Sequence, residues 1–281
     1  MQRFLKWMLM GLALGSWTGA NAEIVTLTMP NKLVARAEFR QGDPGKPAVI
    51  LIHGFLQTHM FPTVSRLTDS LASDGYTVLS PTLTLGVTHR NQSMACEAIN
   101  THTVADGVAE IGAWMKWLRS RKASRIVLAG HSLGNIYNLA YVSSAKGRTP
   151  VKLIDISIVE GSLKSGEASR GGLVRAMRDR SGRREVLENQ FSFCQKYRST
   201  ARSLLSYLEW GPDQILAAIQ KSRIPITMIM GSKDDRLGQD WLERLRQTRA
   251  KVVTIQGANH FMDGQYEFDL VEDVLSELKD I

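Results

Sequence analysis

Runs of apolar residues divide the chain into a regular series of predicted strands. Two segments near the start, 24–29 and 32–39, alternate apolar and polar residues and are joined at Pro30-Asn31, which predicts an antiparallel pair. Later runs are continuously apolar and predict strands that are buried on both faces. These later runs are 47–55, 76–83, 125–130, 151–159, 225–231 and 251–257.

Segments with helical periodicity lie between these runs. A helix is predicted near Thr63 to Ser73, and residues 104–120 carry apolar side chains at helical spacing. A last helix near the C-terminus has four apolar positions, which are Phe268, Val271, Val274 and Leu275. Because strands that alternate with helices form a mainly parallel sheet covered on both faces, we expect an α/β fold. Ligands bind at the carboxyl ends of such strands, so the residues after each apolar run are candidates for chemistry.

Two insertions interrupt the alternation. Residues 161–223, rich in charge and glycine, follow the sixth strand and predict a helical cap over the carboxyl edge of the sheet. Residues 81–102 form a long connection between a strand and a helix, and loops of this length are usually functional or held in place.

The first 22 residues have the layout of a secretory signal peptide. Arg3 and Lys6 give a basic start, residues 7–17 are uncharged and mainly apolar, and 20–22 form a small-x-small cleavage signal. The apolar run is short for a membrane span, and an uncleaved interfacial anchor is the alternative. We therefore expect a periplasmic or secreted protein whose mature chain, residues 23–281, is one domain.

If the protein is exported, its two cysteines are in an oxidising compartment. Cys96 and Cys194 lie in different insertions, and an oxidising compartment favours a disulfide between them, which would pin the cap to the loop. Two free thiols are the alternative. The chain offers too few suitable ligands near either cysteine for a metal site, so no metal is expected.

Positive charge is concentrated in the predicted cap. The chain has a formal net charge of +8, and removing Arg3 and Lys6 with the signal peptide leaves +6. The segment from Lys164 to Arg202 holds ten basic and four acidic residues, a local excess of +6. This segment could attract an anionic substrate or an anionic membrane surface, or it could be a solvated helix face. No recognised nucleic-acid-binding module accompanies the charge, so nucleic acid is not an expected partner.

Gly130-His131-Ser132-Leu133-Gly134 places one serine between a predicted strand and a predicted helix. The residues on either side must be small because the serine adopts a strained backbone conformation with the helix pressed close. The context predicts that Ser132 is a nucleophile, with a non-catalytic serine as the alternative.

This turn resembles that of the α/β-hydrolase family, and the resemblance extends from about Ala48 to Ile281. His53-Gly54-Phe55 ends the first central strand and is similar to the family's histidine–glycine turn. That likeness implies an oxyanion hole built from the backbone N–H groups of Phe55 and Leu133. His53 itself is expected to have a structural role.

The resemblance also implies an acid and a histidine. A glycine-x-x-aspartate spacing from Gly231 selects Asp234, with Asp235 as the neighbouring alternative and Glu160, which ends the previous strand, as the third choice. His260 follows the last strand and completes the order serine, acid, histidine that this fold implies.

An exported serine hydrolase that cleaves a carboxylic ester is the leading hypothesis. His260 would take the proton of Ser132 while Asp234 holds the imidazole in the right tautomer. Thioesterases, acyltransferases and peptidases use the same triad, and a non-catalytic binding protein on this scaffold is a further alternative. The expected substrate is a small acyl compound, whose anionic or lipid character stays open, and no cofactor is implied.

The remaining histidines are expected to be outside the chemistry. His131, at the variable position of the turn, is predicted to pack behind the site. His59, His89 and His102 are predicted to be surface residues or to line the cleft, and their spacing makes no metal site.

Overall fold

The apolar runs form one eight-stranded sheet in a computed structural model, which describes residues 22–144, 150–160, 166–234, 236 and 240–281, without the side chains of 166–169. The order of strands across the sheet is β1-β2-β4-β3-β5-β6-β9-β10, and β7 and β8 form a separate pair. The strands are β1 (Glu23–Thr28), β2 (Val34–Arg40), β3 (Ala48–Ile52), β4 (Thr77–Thr82), β5 (Ile126–His131), β6 (Lys152–Ile156), β7 (Val186–Phe191), β8 (Cys194–Thr200), β9 (Ile226–Gly231) and β10 (Lys251–Ile255).

Eight helices lie in the described part of the chain. They are α1 (Pro62–Ser73), α2 (Val104–Ser120), α3 (Gly134–Ser144), α4 (Gly166–Arg180), α5 (Ala201–Leu208), α6 (Pro212–Lys221), α7 (Asp240–Arg246) and α8 (Tyr266–Lys279). Residues at the N-termini of α1 and α2 explain where these two helices begin. Proline occupies the first turn of α1, and a capping box between Thr103 and Asp106 begins α2.

The sheet is antiparallel at one edge and parallel elsewhere. β2 pairs antiparallel with β1 and β4, whereas β4, β3, β5, β6, β9 and β10 run parallel. Every residue of β3, β5 and β9 is buried, as expected for strands covered on both faces. The predicted α/β-hydrolase architecture, with an insertion after the sixth strand, is confirmed.

Helices cover both faces of the sheet. On one face, Ile50, Leu128 and Met228 pack with α2 and α3 in a core centred on Trp114. On the other, Val49, Val127 and Ile229 pack with α1 and α8. These faces leave the carboxyl ends of the strands as the open edge, where side chains from several strands can meet.

One of the four apolar positions of α8 does not belong to the core. Phe268 is 80% exposed, and the helix instead packs through Leu270, Val274 and Leu278. These three recur every four residues and therefore share one helical face, whereas a residue two positions before Leu270 points about 200° away from it.

The sequence predicted a helical insertion after β6, but the described part of this insertion is not wholly helical. Its described part contains α4, α5 and α6, but β7 and β8 form an antiparallel hairpin between them. Phe191, Tyr197 and Ser199 are buried, whereas Glu188 and Arg198 are exposed. This alternation with a period of two is the pattern of a hairpin lying flat on a core.

The loop before α2 is tied to this hairpin. The predicted Cys96–Cys194 disulfide is present, with the two Cα atoms 5.4 Å apart. Backbone hydrogen bonds run beside it, from Asn100 N–H to the Arg198 carbonyl at 2.9 Å and from Thr200 N–H to the Asn100 carbonyl at 3.2 Å. The two insertions therefore form one covalently linked layer.

The predicted signal peptide lies outside the described residues except for Ala22. Within the described chain, no helix combines the length and the apolar character that a bilayer crossing requires.

Candidate active site

Ser132 lies in the turn between β5 and α3, in the left-handed region at φ 58°. Its N–H donates to the Ile156 carbonyl at 2.9 Å. A Cβ at Gly134 would lie 2.3 Å from the His53 carbonyl oxygen, and one at Gly130 would lie 2.5 Å from Asn135 Oδ1. Both positions need glycine because the helix packs directly against β3 and β5.

A hydrogen-bonded chain joins three of the predicted residues. His260 Nε2 is 2.8 Å from Ser132 Oγ, and His260 Nδ1 is 2.7 Å from Asp234 Oδ2. Asp234 can only accept when ionised, so Nδ1–H donates to it and Nε2 accepts from the serine hydroxyl. Ser132 is 7% exposed and His260 is 4% exposed, so water is largely excluded from this chain of bonds. The arrangement suits proton transfer from the serine to the histidine.

The competing acids differ in what they contact. The N–H of Asp234 donates to the Gly231 carbonyl at 3.1 Å, in the turn after β9. Glu160 instead forms an ion pair with Arg170, which also donates to the Leu208 carbonyl and so joins the cap to the sheet. Asp235 lies outside the described residues.

The loop that carries His260 is anchored from behind. His131 Nε2–H donates to the His260 carbonyl at 3.0 Å, and Thr63 Oγ1 donates to the Phe261 carbonyl at 2.9 Å. Burial, followed by the charge of the neighbouring His260, lowers the pKa of His131 to about 3, so its ring is neutral. Its packing position is the one that the sequence predicted.

The turn after β3 presses against the serine. A Cβ at Gly54 would lie 3.2 Å from Ser132 Cβ. The backbone N–H groups of Phe55 and Leu133, which flank this contact, donate to no other described residue. Two N–H groups without a described acceptor, one in the turn after β3 and one in the Ser132 turn, are suited to an oxyanion.

Comparison with known proteins shows the family of this chain. Residues 49–272 match the model of the alpha/beta hydrolase family. The chain belongs to this family. A search of the curated proteins finds no match.

Solved structures share the fold of this family member at low identity. Est1E from Butyrivibrio proteoclasticus, with ferulic acid bound, has a TM-score of 0.66 and 17% identity over 92% of this chain and 100% of that chain. The Pyrococcus furiosus esterase Pf2001 has a TM-score of 0.61 and 18% identity over 95% of each chain. The thioesterase domain from the curacin biosynthetic pathway has a TM-score of 0.58 and 17% identity over 92% of this chain and 99% of that chain. At these identities the likeness concerns the fold.

His53 is held as a neutral, structural residue of this hydrolase fold. Its Nδ1–H donates to the Gly54 carbonyl at 2.8 Å, and its Nε2 accepts from the Leu83 N–H at 3.0 Å. Burial, together with the charge of Arg90, lowers its pKa well below the usual range. With both ring nitrogens occupied by backbone groups, His53 orients the turn that carries Phe55.

Arg90 is a buried residue that the sequence did not single out. Its guanidinium donates to the carbonyls of Leu83 and Gln57 at 2.7 Å each, and to His53 Nε2 at 3.1 Å. Burial lowers its pKa to about 10. The side chain fastens the long loop after β4 to the turn after β3, and no motif around it signals this role.

Two of the histidines expected at the surface or in the cleft are buried, so they are not surface residues. His102 is 4% exposed, and its Nδ1 is 3.0 Å from the hydroxyl of Tyr207; His59 is 7% exposed and 2.7 Å from Thr82 Oγ1. His89 is exposed, as predicted. Burial lowers the pKa of His102 to about 4, so it contributes as a neutral hydrogen-bonding group.

Two buried acids are also absent from the predicted site. Burial raises the pKa of Glu110 to about 7, although Thr84 donates to both of its oxygens at 2.9 and 2.5 Å. Asp155 pairs in register with Gly130, which leads into the Ser132 turn, and burial raises its pKa well above the usual range. Neither carboxyl oxygen of Asp155 has a hydrogen-bond partner among the described residues.

A cavity of about 160 Å³ lies behind the His260 loop, between α1 and α8, and its lining includes Phe61, Leu67 and Phe261. In the described chain, no group of three or more His, Cys, Asp or Glu side chains is arranged to hold a metal ion.

Proposed function

We propose that this protein is a serine hydrolase that cleaves a carboxylic ester through an acyl-enzyme. The observation that carries the proposal is the hydrogen-bonded chain from Ser132 Oγ through His260 to Asp234. The left-handed backbone of Ser132 and the close approach of Gly54 to Ser132 support it, because they set the turn that carries the Phe55 N–H against the turn that carries Ser132 and Leu133.

The proposed reaction has two halves. Ser132 Oγ attacks the carbonyl carbon of the ester while its proton moves to His260 Nε2, and Asp234 stabilises the imidazolium. The N–H groups of Phe55 and Leu133 hold the oxyanion, each contributing on the order of 3 kcal/mol to the transition state. The intermediate collapses, and the alcohol leaves with the proton from Nε2. Water then attacks the acyl carbon in the same way and frees the acid.

An oxygen ester is the preferred substrate class, with a thioester as the second candidate. The solved structures with the same fold include proteins described as esterases and one described as a thioesterase domain. Because their identities to this chain are 16 to 18%, these descriptions only favour the two classes.

Export and a charged partner are further parts of the proposal. The basic start, apolar run and cleavage signal of residues 1–22 support export, and a disulfide suits an oxidising compartment. In the cap, Arg178 pairs with Glu209, and Arg180 and Arg183 lie near Glu185. Glu185 is already counted in the local excess of +6, and Glu209 offsets one charge more, so most of the excess stays uncompensated, and an anionic substrate and an anionic membrane surface are both candidate partners.

A fluorophosphonate probe combined with a substrate pair tests the proposal. The purified protein should be labelled at Ser132 and should hydrolyse an oxygen ester faster than the thioester of the same acyl group. Ser132→Ala should lose labelling and hydrolysis together, whereas Ser144→Ala, an exposed serine at the end of α3, should keep both. Labelling that persists in Ser132→Ala would show that the nucleophile lies elsewhere. Mass analysis of exported protein, expected to begin at Glu23, tests the signal peptide.

A further inference from the structure

Phe193 is an aromatic side chain left exposed at the tip of the cap hairpin. It is 54% exposed and lies in the turn between β7 and β8, after Ser192, whose φ is 53°. Single exposed apolar residues are common on protein surfaces, so exposure alone indicates nothing. The position of this ring and the contacts that hold it distinguish it from such residues.

The Phe193 ring is fixed in place from two sides. The next residue, Cys194, is 1% exposed and is bonded to Cys96. The ring meets Phe55 edge-on, with centroids 5.6 Å apart and planes at 76°. The buried rings of Phe191 and Tyr197 also contact Phe55, with centroids 5.3 and 5.5 Å away, so Phe193 belongs to an aromatic cluster around Phe55.

This ring is connected to the proposed reaction centre through Phe55. Phe55 follows Gly54, whose Cβ position is 3.2 Å from Ser132 Cβ, and the N–H of Phe55 is a proposed oxyanion donor. A carbonyl oxygen held by that N–H places the rest of the substrate beside residue 55. A substrate group that extends from the carbonyl past Phe55 toward solvent meets the exposed face of Phe193.

We propose that Phe193 forms the wall of a subsite that selects esters with an apolar group of about aryl size. The inference rests on the proposed function, since it names the substrate class of the same site. A rigid, half-exposed ring favours a planar apolar partner, because aromatic pairs attract beyond their buried area and a ring that is already held loses little entropy on binding.

Hydrolysis of a small set of colourless esters tests this subsite. Ethyl acetate has no aryl group, ethyl 3-phenylpropanoate carries one on the acyl side, and benzyl acetate carries one on the alcohol side. The release of acid from each ester is followed by pH-stat titration. The wild-type protein should prefer one of the aryl esters in kcat/KM. Phe193→Ala should lower that preference about tenfold, mostly through KM, and Phe193→Trp should restore it.

Phe268→Ala is the matched control, because Phe268 is an 80% exposed phenylalanine on α8, outside the proposed site. It should leave the aryl preference unchanged. Thermal unfolding and thiol titration should show that Phe193→Ala keeps its fold and its disulfide.

Three results would overturn the inference. The first is an aryl preference that survives in Phe193→Ala, the second is an equal loss on all three esters, and the third is the same loss in Phe268→Ala. In each of these cases hydrolysis itself continues, so the proposed function stands. If the wild-type protein hydrolyses no ester and takes up no fluorophosphonate, both proposals are wrong.

Discussion

Replacing Cys96 and Cys194 together by alanine would cut the covalent link between the loop after β4 and the cap hairpin. The two residues are 98 positions apart in sequence. In the chain-entropy model, a loop of about this length lowers the entropy of the unfolded chain by the equivalent of about 4.7 kcal/mol at 25 °C. Measured values are usually smaller, about 2 to 4 kcal/mol, and that is the loss we expect in the free energy of unfolding.

The folded structure indicates where this loss should be felt. The hydrogen bonds between Asn100 and the backbone of Arg198 and Thr200 remain in the variant, and so does the bond from Ser203 Oγ to the His102 carbonyl at 2.6 Å. The eight-stranded sheet contains neither cysteine. The hairpin should therefore loosen while helix and strand content is kept, and ester hydrolysis should fall.

Urea unfolding followed by circular dichroism measures the stability change, and limited proteolysis with a trypsin-like protease locates it. The double variant should have a lower midpoint and should be cut first between residues 166 and 202, a segment rich in exposed arginine. Each single variant should match the double variant in stability, because either change removes the bond. An unchanged midpoint, or first cleavage within the sheet, would refute the reasoning, and recovery of two free thiols from the exported protein would rule out the bond.

Three further substitutions test the site. Asp234→Asn should reduce kcat by up to about ten-thousandfold by favouring the wrong tautomer of His260; retention of most activity would reject Asp234 as the acid. Gly134→Ala places a Cβ 2.3 Å from the His53 carbonyl oxygen, so it should cost about 1 to 3 kcal/mol in urea unfolding and lower kcat; an unaltered protein would show that the turn can relax. Burial raises the pKa of the Asp155 carboxyl in the folded state, so the folded wild type keeps this proton to a higher pH than the unfolded chain does. The wild type therefore loses stability as pH rises above about 4, and the free energy of unfolding of Asp155→Asn should exceed that of the wild type by an amount that grows with pH. Parallel stability curves for the two proteins between pH 4 and 8 would contradict that assignment.

Much of the fold follows from local pattern. Continuous apolar runs identified the buried strands, and residues 104–120 match α2 residue for residue. Both signals are local, because a helix places every third or fourth residue on one face and a doubly covered strand needs apolar residues on both faces. The serine turn is equally local: its glycines are required by contacts within one strand–turn–helix unit and its neighbouring strand.

The errors arose where burial depends on distant partners. Phe268 and Leu270 are both apolar, and only the way in which α8 lies on the sheet leaves one exposed and the other buried. His59 and His102 were expected at the surface or in the cleft, but His59 is buried beside Thr82 at the end of β4 and His102 beside Tyr207 of the cap. The hairpin was missed because charged residues on its exposed face obscured the alternation.

The sequence by itself determined the order of the sheet strands, the helices α1, α2, α3 and α8 between and after them, the serine at the turn and a short set of candidate partners for it, because each depends on residues close together in the chain. Only the tertiary structure separates Asp234 from Glu160 by what each contacts, since β9 and β10 must lie side by side before Asp234 reaches His260, while the cap supplies Arg170 to Glu160. The burial of the ionisable side chains of Arg90, Glu110 and Asp155 also depends on the tertiary structure. The sequence around a carboxyl or guanidinium group does not show whether the group is buried, and its pKa depends on how far the folded chain removes it from water.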